Sequence, residues 1–492
     1  MRVVTVTPAT IGAVIAGVKP GDIVELEPGL YSRPFSLTNL RGEPGRPITL
    51  RGTSWAVIDG GRMAEEYRIE ANYRARQVQL EGKYPGLWPY MGEAMIALQG
   101  CSHIVLEDLT IRRCWPTAIH LGDSQDIIIR RTDITDGTFA IAASGASTQG
   151  IVIDSVRWCQ DVTRNRIWRS AAWMSVHGDQ DVDIANDWRL YDGDFFRSES
   201  IRGGVTISHC QVEHAFNAVH GFNPGKDASL NTNFCVRDCS FSYVRDNVFE
   251  PEDCAINWWF HRNRLYNVHK WCSIEAQFSA YIYIFANLSW FDEIPGRHGQ
   301  GNRTGGMFKL GPKQDKGAGP HYIFNNSFAA RSDYAPAGVL RGLRHWANAV
   351  RFCQAGEGVC DGKTTFFGDL KKKASETGDR FTNNWKGNDI DFADDVIAHP
   401  QYTAVLKRNH YGPFRDSLAA DPGFRDAGWP GQGGAGLMLA AGSPCRGRAP
   451  EQTVMLPDGG MALLPAGRDV GAFQGEELMR WREFVPYAPP TV

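Results

Sequence analysis

Along much of this chain apolar residues alternate with polar ones in short phrases, each closed by a polar turn. Examples are His103-Ile104-Val105-Leu106-Glu107-Asp108-Leu109-Thr110-Ile111, Asp126-Ile127-Ile128-Ile129-Arg130, Gly150-Ile151-Val152-Ile153-Asp154 and Tyr281-Ile282-Tyr283-Ile284-Phe285. Alternation with a period of two, rich in β-branched and aromatic residues, predicts strands. Where no insertion intervenes, the phrases recur roughly every 22 to 29 residues, the period of one coil of a β-solenoid. Helical repeats need apolar residues at 3.6 spacing and about 33 to 47 residues per unit, and propeller blades about 40 to 50. The phrases lie too close together for either.

An Asn or Asp before an apolar residue closes many phrases: Asp108-Leu109, Asp133-Ile134, Asp238-Cys239-Ser240-Phe241, Asn263-Arg264-Leu265, Asn287-Leu288 and Asn326-Ser327-Phe328. These side chains tolerate the left-handed conformation and bond their own backbone, so they suit the corners of a coil. Stacked coils would let such amides form ladders, a structural role rather than a catalytic one.

Solenoids lengthen by adding coils, so 492 residues need no division into domains. The pattern predicts one domain over residues 1–492: starting cap and first coils at 1–62, central coils at 98–330, an insertion at 331–415, and closing coils with a tail at 416–492. Further insertions are expected near 62–97, 160–203 and 291–320, with short helices at Gly338–Cys353 and Asp369–Thr377. Long loops on a rigid solenoid commonly build its binding face.

The formal charge of -3 argues against a general nucleic-acid binder. No apolar run approaches the length of a membrane span. Met1 is followed directly by the strand-like Arg2-Val3-Val4-Thr5-Val6, without a secretory signal. The expected location is therefore secreted or periplasmic if a signal peptide has been removed, and cytoplasmic otherwise. Oligomeric state is left open. Of the eleven cysteines, Cys114, Cys159, Cys210 and Cys239 occupy similar places in successive phrases. They are expected as a buried column of reduced thiols. Cys353 and Cys360 are the disulfide candidates, and the absence of a CxxC pair argues against structural zinc.

The start of the chain carries a more specific signal. A short apolar helix predicted over residues 9–19 leads into Lys-Pro-Gly-Asp-x-Val-x-Leu-x-x-Gly-x-Tyr, here Lys19 to Tyr31. This resembles the starting cap of right-handed parallel β-helix proteins of the pectate-lyase-like superfamily. Pro47-Ile48-Thr49-Leu50-Arg51-Gly52 and Val57-Ile58-Asp59-Gly60-Gly61 extend the likeness. So do Asp421-Pro422-Gly423-Phe424, Ser443-Pro444-Cys445 and Asp469-Val470-Gly471-Ala472-Phe473 at the far end. The resemblance implies an all-β, single-stranded right-handed parallel β-helix. It does not choose a reaction, since the superfamily includes lyases, hydrolases, epimerases and plain binders.

Aligning coils by their inward apolar residue gives Val219-His220, Phe249-Glu250, Ile274-Glu275 and Phe308-Lys309. The residue after an inward one points outward. His220, Glu250, Glu275 and Lys309 are therefore expected as one outward column, with coils about 4.8 Å apart. Asp246-Asn247-Val248-Phe249-Glu250-Pro251-Glu252-Asp253 is the densest acidic stretch of the strand region. It resembles a segment of uncharacterised and carbohydrate-active β-helix sequences, a likeness that marks a site without naming a substrate; the expected partner is an oligo- or polysaccharide. Paired carboxylates at Glu250 and Glu275, with Asp246, Lys309 and His220 beside them, predict a glycoside hydrolase that needs no cofactor.

The same acids support a second expectation. Asp246, Glu250, Glu252 and Asp253 suit Ca²⁺, with Glu252 and Asp253 as metal ligands and Lys309 or His220 as the base of a uronate lyase or C5-epimerase. Arg297, His298, Arg303, Lys309, Lys313 and Lys316 favour an anionic glycan. Trp259, Trp271, Arg303, Glu252 and His321 are the expected substrate-binding residues, with the tryptophans as a stacking platform. A non-catalytic glycan binder is the third expectation.

Overall fold

The computed structural model describes residues 1–83, 87–178, 181–225, 227–293, 306–310, 319–330, 335–336, 342–352, 367–368, 390–398, 414–426 and 432–488. The chain is a parallel β-helix, and its coils fall into two compact units. One comprises Met1–Gly225, Ser242–Asp246 and Pro295–Asn302. The other comprises Lys226–Phe241, Asn247–Ile294 and Arg303–Val492.

In the first unit the coil from Ala94 to Arg112 contributes three strands, Ala94–Gln99, Ser102–Glu107 and Thr110–Arg112. Each pairs in parallel with its equivalent in the next coil. The registers place Ile104 beside Ile127, Ile127 beside Ile151 and Ile151 beside Val205. On a second face Ile96, Ile119, Ile141, Phe196 and Val219 form a like column. All of these residues are fully buried. The alternation of the sequence thus becomes apolar columns along the inside of the coil, and each large aliphatic side chain contributes about 1.5–3 kcal/mol of burial.

The starting cap contains the helix Ile11–Ile15, shorter than the predicted 9–19. Asp22, in the Pro-Gly-Asp turn, accepts from the Lys19 amide at 3.0 Å. Between residues 62 and 97 lies the helix Ala64–Leu80, which the strand pattern did not predict. Its buried Tyr67, Ala71 and Ala75 pack with Ile167, Val176 and Leu190 of the 160–203 insertion. The two insertions thus share one core, to which Asn72 adds a bond to the Asp187 carbonyl at 2.6 Å.

The second unit is tied by a ladder of buried side chains. Asn263 donates to Asn287 Oδ1 at 3.1 Å, Asn287 to Asn326 Oδ1 at 3.0 Å, Asn326 to Asn348 Oδ1 at 2.9 Å, and Asn348 to Asp395 Oδ1 at 3.1 Å. The predicted corner asparagines do form ladders, but they are not themselves left-handed. The residue before each carries the positive φ: Arg262 (56°), Ala286 (56°), Asn325 (48°), Ala347 (52°) and Asp394 (59°). Only Asp108 and Asp238 adopt the left-handed conformation expected of them.

The ladder continues into residues expected to be an insertion. Leu343–Trp346, Ala349–Phe352, Ile390–Ala393 and Val396–Ala398 are coil strands, so Gly338–Cys353 contains strands rather than a helix. Asp369–Thr377, Cys353 and Cys360 lie outside the described residues.

Cys114, Cys159, Cys210 and Cys239 are buried free thiols, as expected. Their common column is not observed, because Cys159 is level with Thr135, which is level with Arg112 and not with Cys114. No helix among the described residues is long and apolar enough to cross a membrane.

Candidate functional site

Glu250 and Glu252 lie in the strand Ser240–His261. Residues two apart in a strand share a face, and the closest ligand oxygens of the two carboxylates lie within 4.8 Å of each other. Glu250 is buried and Glu252 half-buried. The Asn247 amide donates to Glu250 Oε1 at 2.9 Å, fixing that carboxylate from three residues upstream. Asp253 follows with a φ of 58° and is half-buried. The Cys272 thiol is pushed well up, first by burial and then by the charge of Glu250.

The expected outward column fails at Glu275. Ser273, not Glu275, is level with Lys309, and Cys272 is level with Phe308. Aligning Ile274 with Phe308 had displaced that coil by two residues, a slip that preserves the inward-outward alternation and so leaves no trace in the pattern. The Glu275 side chain lies outside the described residues. Lys309 is half-buried. Arg303, Arg297, His298, Lys313 and Lys316 also lie outside the described residues.

Asp246 is buried and its amide bonds the Phe216 carbonyl at 2.8 Å in the first unit. His220 belongs to that unit and is likewise buried. The outward register there runs Ala97, His120, Ala142, Arg197, His220. His220 contacts the Arg197 guanidinium, and Asp194 Oδ1 lies 3.5 Å from its Nδ1. Arg197 lies 3.7 Å from Asp194 and 4.1 Å above the Trp88 ring. This charged group was missed because Asp194 and Arg197 sit at the end of an insertion, in a phrase, Asp194-Phe195-Phe196-Arg197, that was not among the aligned coils. His120 bonds Ser144 Oγ at 3.0 Å, and burial holds its pKa below the ordinary value.

The tryptophan platform is not observed. Trp259 is 2% exposed and Trp271 0%. Trp259 is covered by Trp481, stacked at 5.6 Å, and Trp271 packs edge-on to Phe328 at 4.1 Å. His321 is fully buried against Ser279 Oγ at 2.6 Å and presents no surface to a glycan.

No family model and no curated protein matches the chain. Among solved structures, it is similar to the PL6 family alginate lyase AlyGC at 11% identity and a TM-score of 0.47, over 90% of this chain and 57% of that one. This chain therefore spans less than two thirds of that enzyme. Pectate lyase Pel9A gives 11% identity and a TM-score of 0.43, over 96% of each chain. A Yersinia enterocolitica family 28 exopolygalacturonase gives 10% and 0.42, over 70% of this chain and 75% of its own.

Proposed function

We propose that this protein cleaves uronate-containing polysaccharides by elimination, at a site on the unit that carries Glu250, Glu252 and Lys309. The observation that supports it most is the approach of the Glu250 and Glu252 oxygens to within 4.8 Å on one strand. Two carboxylates so close cannot both stay charged cheaply, and a cation between them relieves the repulsion. The two carboxylates are oxygen donors, the kind Ca²⁺ takes in sets of six to eight. Glu250 and Glu252 would hold the ion, with Asp253 the next candidate ligand.

Bound Ca²⁺ would neutralise the uronate carboxylate and so acidify the proton on the adjacent carbon. The chain's own groups do the rest. Asn247 keeps the Glu250 carboxylate oriented. Cys272 is level with Phe308 and Ser273 with Lys309, so Lys309 stands on the same sheet one coil beyond Ser273. Lys309 would take the proton, the freed electron pair forms a carbon–carbon double bond, and the glycosidic oxygen leaves from the next carbon and takes a proton from water to become a hydroxyl.

Hydrolysis is the second reading. The 4.8 Å limit is near the roughly 5–5.5 Å of retaining glycosidases, and a proton shared between the two acids would supply the general acid. Elimination is favoured because Glu250 and Glu252 stand side by side on one strand, whereas hydrolysis needs its carboxylates on either side of the scissile bond.

The test is incubation with uronate polymers, with and without chelator, recording reducing ends and ultraviolet absorbance together. Elimination gives absorbing products that chelator abolishes. Reducing ends without absorbance, unaffected by chelator, would move the assignment to hydrolysis, and neither signal would leave a glycan binder.

A further inference from the structure

The second unit also holds a groove of about 420 Å³ that the reaction above does not use. It lies over the outer face of the sheet in which Cys235 is level with Trp259 and Tyr283 with Tyr322. The apolar part of its lining comes from Trp259, Leu456, Val485, Pro486 and Tyr487, and its polar part from Asp458, Arg482 and Glu483.

Outward side chains of the coils pin both walls. One wall is the turn after the strand Gln452–Met455. There the Tyr283 hydroxyl donates to the Met455 carbonyl at 2.8 Å, and the Met455 amide donates to the Tyr322 hydroxyl at 2.8 Å. The other wall is the tail. Asn233 donates to the Tyr487 carbonyl at 2.7 Å and accepts from the Tyr487 amide, and Asn257 donates to the Val485 carbonyl at 3.1 Å. Asn233 and Asn257 are both left-handed, with φ of 60° and 59°, and Asn257 donates to Asn233 Oδ1 at 2.9 Å. Trp481 anchors the tail further by stacking on Trp259 and donating to the Leu463 carbonyl at 3.4 Å. A groove whose walls are fixed before a ligand arrives loses little ordering entropy on binding.

We propose that this groove is a non-catalytic glycan site that takes one or two sugar rings. Its volume falls within the roughly 300–1,000 Å³ of small-ligand sites, and an apolar lining with a few convergent polar groups is their usual character. A pyranose has that same division, with C–H faces and a rim of hydroxyls that both donate and accept. Asp458 and Glu483 supply acceptors and Arg482 donors, a mixed rim that answers hydroxyls better than a purely anionic or purely apolar ligand. The proposal rests on the reading of the protein as glycan-directed, and it adds a second place where the chain holds its polymer.

The experiment uses the full chain carrying Glu250→Gln, so that ligands are not consumed, and a panel of uronate and neutral oligosaccharides. Hydrogen exchange is followed at residues 455–458 and 482–488. The expected result is protection of both segments by at least one oligosaccharide, and loss of that protection with at least tenfold weaker local binding in Arg482→Ala/Glu483→Ala. Both substituted residues are exposed, and a matching thermal midpoint checks that the fold is kept. Protection absent from these segments, or unchanged by the double substitution, overturns the proposal even if sugar binds elsewhere. Activity of the unsubstituted enzyme on polymer separately reports on the cleavage reading, so either can fail alone.

Discussion

Glu252 stands two residues beyond Glu250 on the same strand, with its nearest ligand oxygen within 4.8 Å. Glu250→Gln and Glu252→Gln should each reduce cleavage by at least a hundredfold and weaken Ca²⁺ dependence, with the thermal midpoint little changed. Initial rates across a calcium titration check this. Equal activity in all three proteins would remove the pair from the site.

Glu107 is nearly fully buried and receives the guanidinium groups of Arg51 at 2.8 Å, Arg130 at 2.6 Å and Arg131 at 2.9 Å. Burial pushes its pKa up, but the three guanidiniums more than offset that and bring it to about 2. A carboxyl whose folded pKa is depressed adds stability above its unfolded value, near 4.3, and loses it as pH falls through about 2. With the arginines partly in water, the contribution is about 2 kcal/mol. Urea unfolding between pH 6 and pH 2 should show this loss, and Glu107→Gln should flatten it.

Asp194 offsets a fully buried Arg197, at 3.7 Å. Asp194→Ala leaves that cation uncompensated and should cost about 3–5 kcal/mol. Asp194→Ala combined with Arg197→Met should recover much of the loss. Denaturant midpoints of the two variants measure the difference.

Buried thiols should resist modification. Burial pushes Cys114, Cys159, Cys235 and Cys445 up to about 12, so little thiolate exists at pH 8 and access is closed. Native protein should react with a thiol reagent far more slowly than protein in urea. Rapid native labelling at Cys210 or Cys239, both buried, would contradict the packing described.

The coil pattern was legible because inward positions such as Ile104, Ile127 and Ile151 must all be apolar to stack. Lateral register was not, since a two-residue slip conserves alternation, and that is how Glu275 came to be aligned with Lys309. The helix Ala64–Leu80 hid behind small residues: Ala71 and Ala75 are buried, yet they look weakly apolar beside the Ile-rich strands. The Tyr67, Ala71, Ala75, Val78 spacing carried the missed signal. Trp259 and Trp271 were legible as aromatic but not as covered, because their covering residues are remote in sequence, Trp481 for Trp259 and Phe328 for Trp271. Glu250 and Glu252 remained visible throughout, since their spacing is local to one strand.

The asparagine ladder has a direction. Every amide from Asn263 to Asn348 passes its donor to the next coil, and Asp395, a carboxylate with no amide to pass on, receives the last one. The series is a grammar for growth: a duplicated coil spliced in between Asn263 and Asp395 meets a donor amide on one side and an acceptor oxygen on the other. Placed after Asp395, the same coil would find no side-chain amide reaching toward it, only the Asp395 backbone N–H that now donates to Ser417 Oγ at 3.3 Å. Lengthening of this protein by coil duplication, in nature or by design, is therefore channelled into the stretch between Asn263 and Asp395.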